Sequence, residues 1–228
     1  SPQDMTAANW VEVLRALALW NSRSREVREH PVGCRRRLAS TFALAAPPIS
    51  AACQELTPEE MAQALWSYSK TRHVPKQLFL ELHGGILRSF KGLSLPSLAS
   101  SLLNSARALS GQLRFWDDSE PLAISPEGVQ MPKAEKFAFT ETGLLSQAET
   151  TLVRRLGAMV ARDLSSVVLA YSLAHQGSPE LYSVLQRACL ERCRQFPADQ
   201  LSTLMWSLAT VRLGPSLAKE AQVDILDR

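Results

Sequence analysis

The sequence predicts an all-α protein, an α-solenoid of about five helix-hairpin repeats of ~37 residues with one long loop insertion. Three observations predict it. Strong helix formers dominate the 228 residues, aromatics make up only 7%, and clusters of Val, Ile, Tyr and Thr that would read as strands are scarce. A bulky residue followed by small ones recurs at a fixed step. A proline then precedes a second amphipathic stretch.

The clearest first helix is Leu56-Thr-Pro-Glu-Glu-Met-Ala-Gln-Ala-Leu-Trp-Ser-Tyr-Ser-Lys70. Its pattern returns at Leu98–Arg107, Leu164–Leu173 and Leu201–Thr210, and more faintly at Trp10–Ala18. The anchors in register are Arg15, Trp66, Leu103, Leu169 and Trp206, separated by 51, 37, 66 and 37 residues. The longer steps read as 37 plus insertions of 14 and 29. The smaller insertion falls around Asn21–Cys34. The larger falls in 110–140, which holds Gly111, Pro121, Pro126, Gly128 and Pro132 and has no helical period, so it reads as a long loop. The units expected are roughly 5–50, 56–92, 93–158, 159–195 and 196–228, in a single domain.

Second helices follow Pro75, Pro179 and Pro215, since proline suits a first helical turn. Leu78, Leu82, Ile86 and Phe90 make one apolar stripe, and Leu181, Leu185, Cys189 and Cys193 another. The small residues beside the anchors let neighbouring helices approach closely, and Trp66 and Trp206 are expected to fill the grooves between units. A single hairpin cannot bury its stripe, but a stack of them shares a continuous core.

No apolar run reaches the roughly 18 to 20 residues of a membrane span. The chain begins at Ser1, so a targeting peptide is not readable from it. Net charge is +3, unevenly spread: residues 1–115 carry 14 Lys or Arg against 8 Asp or Glu, a balance of +6, and residues 116–228 carry 11 against 14, a balance of −3. Arg outnumbers Lys by 19 to 6, a bias compatible with phosphate contact and with ordinary ion pairs alike. The cysteines Cys34, Cys53, Cys189 and Cys193 have no metal-ligand spacing between two pairs and read as reduced, buried, small apolar residues.

Nothing in the sequence points to catalysis. It has no GxGxxG, no GxxxxGK[ST] and no HExxH. His83-Gly84-Gly85 lies inside a helical stripe without a nucleophile elbow, and Asp117-Asp118 has no partner base. The expectation is a protein that is not an enzyme, with no cofactor and no metal.

The run Leu56–Lys70 resembles the octotricopeptide and heptatricopeptide repeats of organellar proteins, and the helical region of FAST-kinase-like proteins. Those units read Leu-[Ser/Thr]-x-x-[Glu/Asp]-[Leu/Met]-[Ala/Ser], then apolar-Trp-[Ser/Ala]-[Leu/Tyr]-[Ala/Ser]. Asp199–Ala209 fits the same pattern, and Arg162–Ser172 fits with Leu in place of Trp. The resemblance covers most of the chain except residues 19–50 and 110–142, and no RAP module is read. It implies a mitochondrial location, with a plastid second, and work on organellar RNA. A short, interrupted array implies a structural subunit of a mitochondrial ribosome, contacting ribosomal RNA and neighbouring proteins. The alternatives are a protein-binding scaffold of another mitochondrial complex and a free transcript-stability factor.

Three sets of residues are candidates for contact. Arg23, Arg25, Arg28, Arg35, Arg36 and Arg37 form an Arg-rich stretch that can neutralise phosphates, or is simply a solvated insertion. Arg72, His175 and Arg212 fall six residues past their anchors, and Lys70 and Arg107 four past theirs. Equivalent positions line one edge of a repeat array, so these read as a basic ridge for RNA, or as cations suited to helix C-termini. Phe115 and Trp116 are offered as stacking or partner-binding aromatics, or as pins holding the insertion on its own helices.

Overall fold

The computed structural model describes residues 5–23, 31–71, 73–116, 123–125, 128–130 and 143–211; for 23, 31–37, 73, 116, 123–125 and 128–130 it describes the backbone only. Nearly all of the described residues are helical, and the fold is all-α. The helices are α1 (Ala7–Arg23), α2 (Pro31–Ala51), α3 (Pro58–Thr71), α4 (Lys76–Ser89), α5 (Leu95–Leu109), α6 (Gly143–Arg155), α7 (Ala161–Ala174), α8 (Pro179–Glu191) and α9 (198–211).

Odd-numbered helices contact one another in chain order. Helix α1 packs on α3, α3 on α5 and α5 on α7. Ser172 of α7 donates to the Ser207 carbonyl of α9 at 3.2 Å. Each odd helix also packs on the even helix that follows it, from α1·α2 to α7·α8, and α2 meets α4 as α6 meets α8. The core lies between these two sets. Leu65, Leu102 and Val168, one residue before their anchors, are fully buried. Each such side chain contributes about 1.5–3 kcal/mol by leaving water.

Local chemistry fixes where the helices begin. Thr57 and Glu60 form a reciprocal cap on α3: the Thr57 N–H donates to Glu60 Oε2 at 2.7 Å and the Glu60 N–H to Thr57 Oγ1 at 3.3 Å. Ser94 caps α5 and Ser178 caps α8, with Pro96 and Pro179 in their first turns. Pro75 stands just before α4, as its N-cap.

Four helix pairs close with a three-residue 3-10 turn: Cys53–Glu55, Phe90–Gly92, Leu156–Ala158 and Cys193–Gln195. Each is followed by a buried apolar residue, Leu56, Leu93, Met159 and Phe196 in turn. These four residues stand at the same 37, 66 and 37 steps as the anchors. The stripe Leu78, Leu82, Ile86 and Phe90 is buried throughout. The second stripe is corrected at its end. Leu181, Leu185 and Cys189 are buried, but Cys193 is exposed, because α8 stops at Glu191 and Cys193 opens the 3-10 turn.

The long insertion is not wholly irregular, as the sequence suggested. β1 (His73–Pro75) pairs in parallel with β2 (Arg114–Trp116), and β3 (Ala123–Ser125) pairs antiparallel with β4 (Gly128–Gln130). Strand β4 lies against α2. The backbone groups of β1, freed where α3 gives way to α4, supply the pairing partner that β2 needs.

Candidate nucleic-acid interface

Three successive odd helices each carry a cation, and the charges of two of them act on the third. Lys70 lies in the last turn of α3 and is exposed; Arg107 sits half-buried in the last turn of α5; Arg162 is exposed in the first turn of α7. The Lys70 ammonium lies 5.4 Å from the centroid of the partly buried Trp66 ring, in reach of a cation–π attraction. Partial desolvation, and then the charges of Arg107 and Arg162, hold the Lys70 pKa below its ordinary value. An anion placed among the three would relieve that repulsion.

The carboxylates in the first turn of α3 serve the fold. Glu59 accepts from the Ser94 N–H, the Ser94 hydroxyl and the Ser97 hydroxyl, and so fastens the start of α5. Burial pushes its pKa up, but these three hydrogen bonds outweigh it and hold the carboxyl below its ordinary value. Glu60 is engaged with Thr57. Asp163 is buried beside Arg162; desolvation raises its pKa and the Arg162 charge opposes the rise.

Lys70 therefore feels the charges of Arg107, a candidate from the sequence, and of Arg162, which was not one. His175 stands apart from this trio in role: it caps α7 in the left-handed conformation, φ 50° and ψ 42°, with its side chain exposed. Its N–H donates to the Ser172 carbonyl at 3.2 Å. Arg25, Arg28, Arg72 and Arg212 lie outside the described residues. Arg23 ends α1 and Arg35, Arg36 and Arg37 lie within α2, their side chains outside the description.

Phe115 is not the exposed contact offered above. Its ring is buried and meets Phe79 edge-on, with centroids 5.0 Å apart. It pins the start of the insertion to α4, the other reading of that residue. The side chain of Trp116 lies outside the description. Trp206 departs from expectation in the opposite direction: its side chain is 53% exposed, and Met205 beside it 70%. No described helix lies over them as α5 lies over Trp66.

Two arginines that the sequence reading passed over serve the fold. Arg192 donates to the carbonyls of Leu156, Gly157 and Met159 at 3.3, 2.7 and 2.6 Å. Arg155 donates to the Leu93 carbonyl at 2.9 Å. They stand 37 residues apart, and that shared step is the signal that would have found them.

Among the described residues no group of three or more His, Cys, Asp or Glu sits together as a metal site would, and no helix is long and apolar enough to cross a membrane. His83 is buried in α4, its ring stacked on Phe79. No protein-family model and no curated protein matches this chain.

Proposed function

We propose that this chain is an α-solenoid that binds RNA without catalysing a reaction, as a structural component of a mitochondrial ribosome. The odd helices contacting in chain order, with the even helices as a second set, support the solenoid reading. The observation that supports RNA binding is that three cations on successive odd helices, Lys70, Arg107 and Arg162, are placed so that the charges of the two arginines act on Lys70. Such a cluster suits phosphate oxygens, which position RNA without reading its sequence. The mitochondrial and ribosomal parts of the reading rest on the resemblance of the Leu56–Lys70 and Asp199–Ala209 runs to organellar repeats.

A protein-binding scaffold is the second reading, favoured by the exposed apolar side chains of Leu190, Met205 and Trp206. Crosslinking and sequencing of bound RNA in the protein's own cells, with a sucrose gradient alongside, separates the readings. Ribosomal RNA crosslinks and comigration with a ribosomal peak are expected. Messenger RNA crosslinks in light fractions would identify a free transcript factor. Background crosslinking, with migration in another large complex, would leave the scaffold.

A further inference from the structure

Helix pairs in a stacked array ordinarily touch only the pairs beside them. One contact here skips a pair. Helices α1 and α2 make the first pair, α3 and α4 the second, and α5 and α6 the third. The insertion runs between α5 and α6, so it belongs to the third pair. Its first strand, β2, pairs with β1, which lies between α3 and α4 of the second pair. The buried Phe115 ring, edge-on to Phe79 of α4, fastens that step. Its last strand, β4, lies against α2 of the first pair. There β4 is already half of a hairpin, with Val129 opposite Ile124 of β3.

Helix α2 is built so that outside contacts matter to it. Pro47 and Pro48 lie inside it, and neither has an N–H to give to the carbonyl one turn back. Its latter half is tied to the second pair: the Tyr68 hydroxyl of α3 donates to the Phe42 carbonyl, and the Ser50 hydroxyl donates to Glu81 of α4. The strand β4 adds a tie of another kind, because the chain that carries it is joined covalently to α5 and α6.

We propose that the strands of the insertion form a clasp that holds the first helix pair to the third across the second, so that the first pair does not open alone. A contact between pairs that are not neighbours makes their opening cooperative, where an unclasped array could lose its first pair separately. The clasp also fixes α2, which carries Arg35, Arg36 and Arg37, relative to α5, which carries Arg107. This role does not depend on RNA binding.

Hydrogen exchange of the full chain, read by mass spectrometry, tests the clasp with two variants. One replaces residues 119–140 with a glycine–serine linker of the same length, which keeps β2 and every described helix. The other, Val129→Pro, puts a proline in the middle of β4, where a paired strand does not tolerate it. In the wild type the slowest amides of α2 and α5 are expected to exchange at a common rate. In both variants α2 is expected to exchange about tenfold faster than α5, with α7 at its wild-type rate. A wild-type α2 that already exchanges faster than α5 would overturn the proposal. So would an α2 that keeps its protection in the linker variant. Equal acceleration in every helix would overturn it too, since the hairpin would then support the fold as a whole.

Discussion

His83 sits in α4 with no exposed surface, and burial holds its imidazole down at about 4. In the unfolded chain an imidazole titrates near 6.5, so between these values the unfolded state binds the extra proton. The neutral imidazole's contribution is complete above the unfolded value and falls away as pH drops toward the folded one. The loss amounts to roughly 3 kcal/mol across that window. Urea midpoints measured from pH 7 to pH 4 are expected to fall more steeply for the wild type than for His83→Leu. Parallel curves would mean that His83 does not stay neutral in the fold. Arg192 makes a second residue-scale prediction. Its guanidinium joins the carbonyls of three residues around the turn that closes the α5–α6 pair. Arg192→Ala leaves them without that donor and is expected to cost about 1.5–3 kcal/mol. Arg192→Lys should recover only part of the loss, since an ammonium cannot span three acceptors as a planar fork does. Chemical denaturation reads both variants.

The prolines that mark second helices and the apolar stripe of α4 were the most legible features of this chain, and hydrogen bonds between units the least. Thr57-Pro-Glu-Glu60, Ser94 and Ser178 carry their capping chemistry within a few residues, and the apolar stripe of α4 keeps a step of four throughout. Tyr68 and Tyr171 were read only as members of a pattern. Each donates across 26 residues, Tyr68 to the Phe42 carbonyl at 2.9 Å and Tyr171 to the Leu145 carbonyl at 2.6 Å. These bonds tie an odd helix to the even helix before it, and no local spacing announces a partner that far away. Cys193 was misplaced because a period of four cannot show that α8 ends at Glu191. The two-stranded pairing of the insertion was illegible for a related reason: β1 and β2 are three residues each and meet only because α3 and α5 lie side by side. Glu59 tests how much an inter-helix cap contributes. Glu59→Ala is expected to destabilise the chain by about 0.5–2 kcal/mol through the start of α5. Its folded pKa is depressed, so the contribution is present above the ordinary carboxylate value and lost as pH falls through the folded one. The variant and the wild type should therefore converge in stability in acid; a gap that persists there would assign the effect to packing.

At the scale of the whole molecule, the candidate interface depends on how the odd helices lie against one another. Lys70 and Arg107 share a register position, so both were readable as candidates from the 37-residue step. Arg162 was not, because it precedes its anchor by seven residues while the others follow theirs by four. The contact of α5 with both α3 and α7 gathers cations from unlike positions in sequence. If the trio holds a phosphate backbone, it must release counterions, and affinity must fall with salt. For single-stranded nucleic acid the slope of log K against log salt is about −0.7 per phosphate neutralised. Lys70→Gln with Arg107→Gln and Arg162→Gln is therefore expected to flatten the slope by about 2, and to weaken binding across unrelated sequences alike. Filter binding of the wild type and the triple variant to a mixed-sequence RNA between 50 and 300 mM salt measures it. Arg162 lies in the first turn of α7 beside the buried Asp163, so the variant's stability is measured beside its binding. An unchanged slope in a variant of unchanged stability would move RNA contact away from this face, to the Arg23–Arg37 stretch as the next place to test.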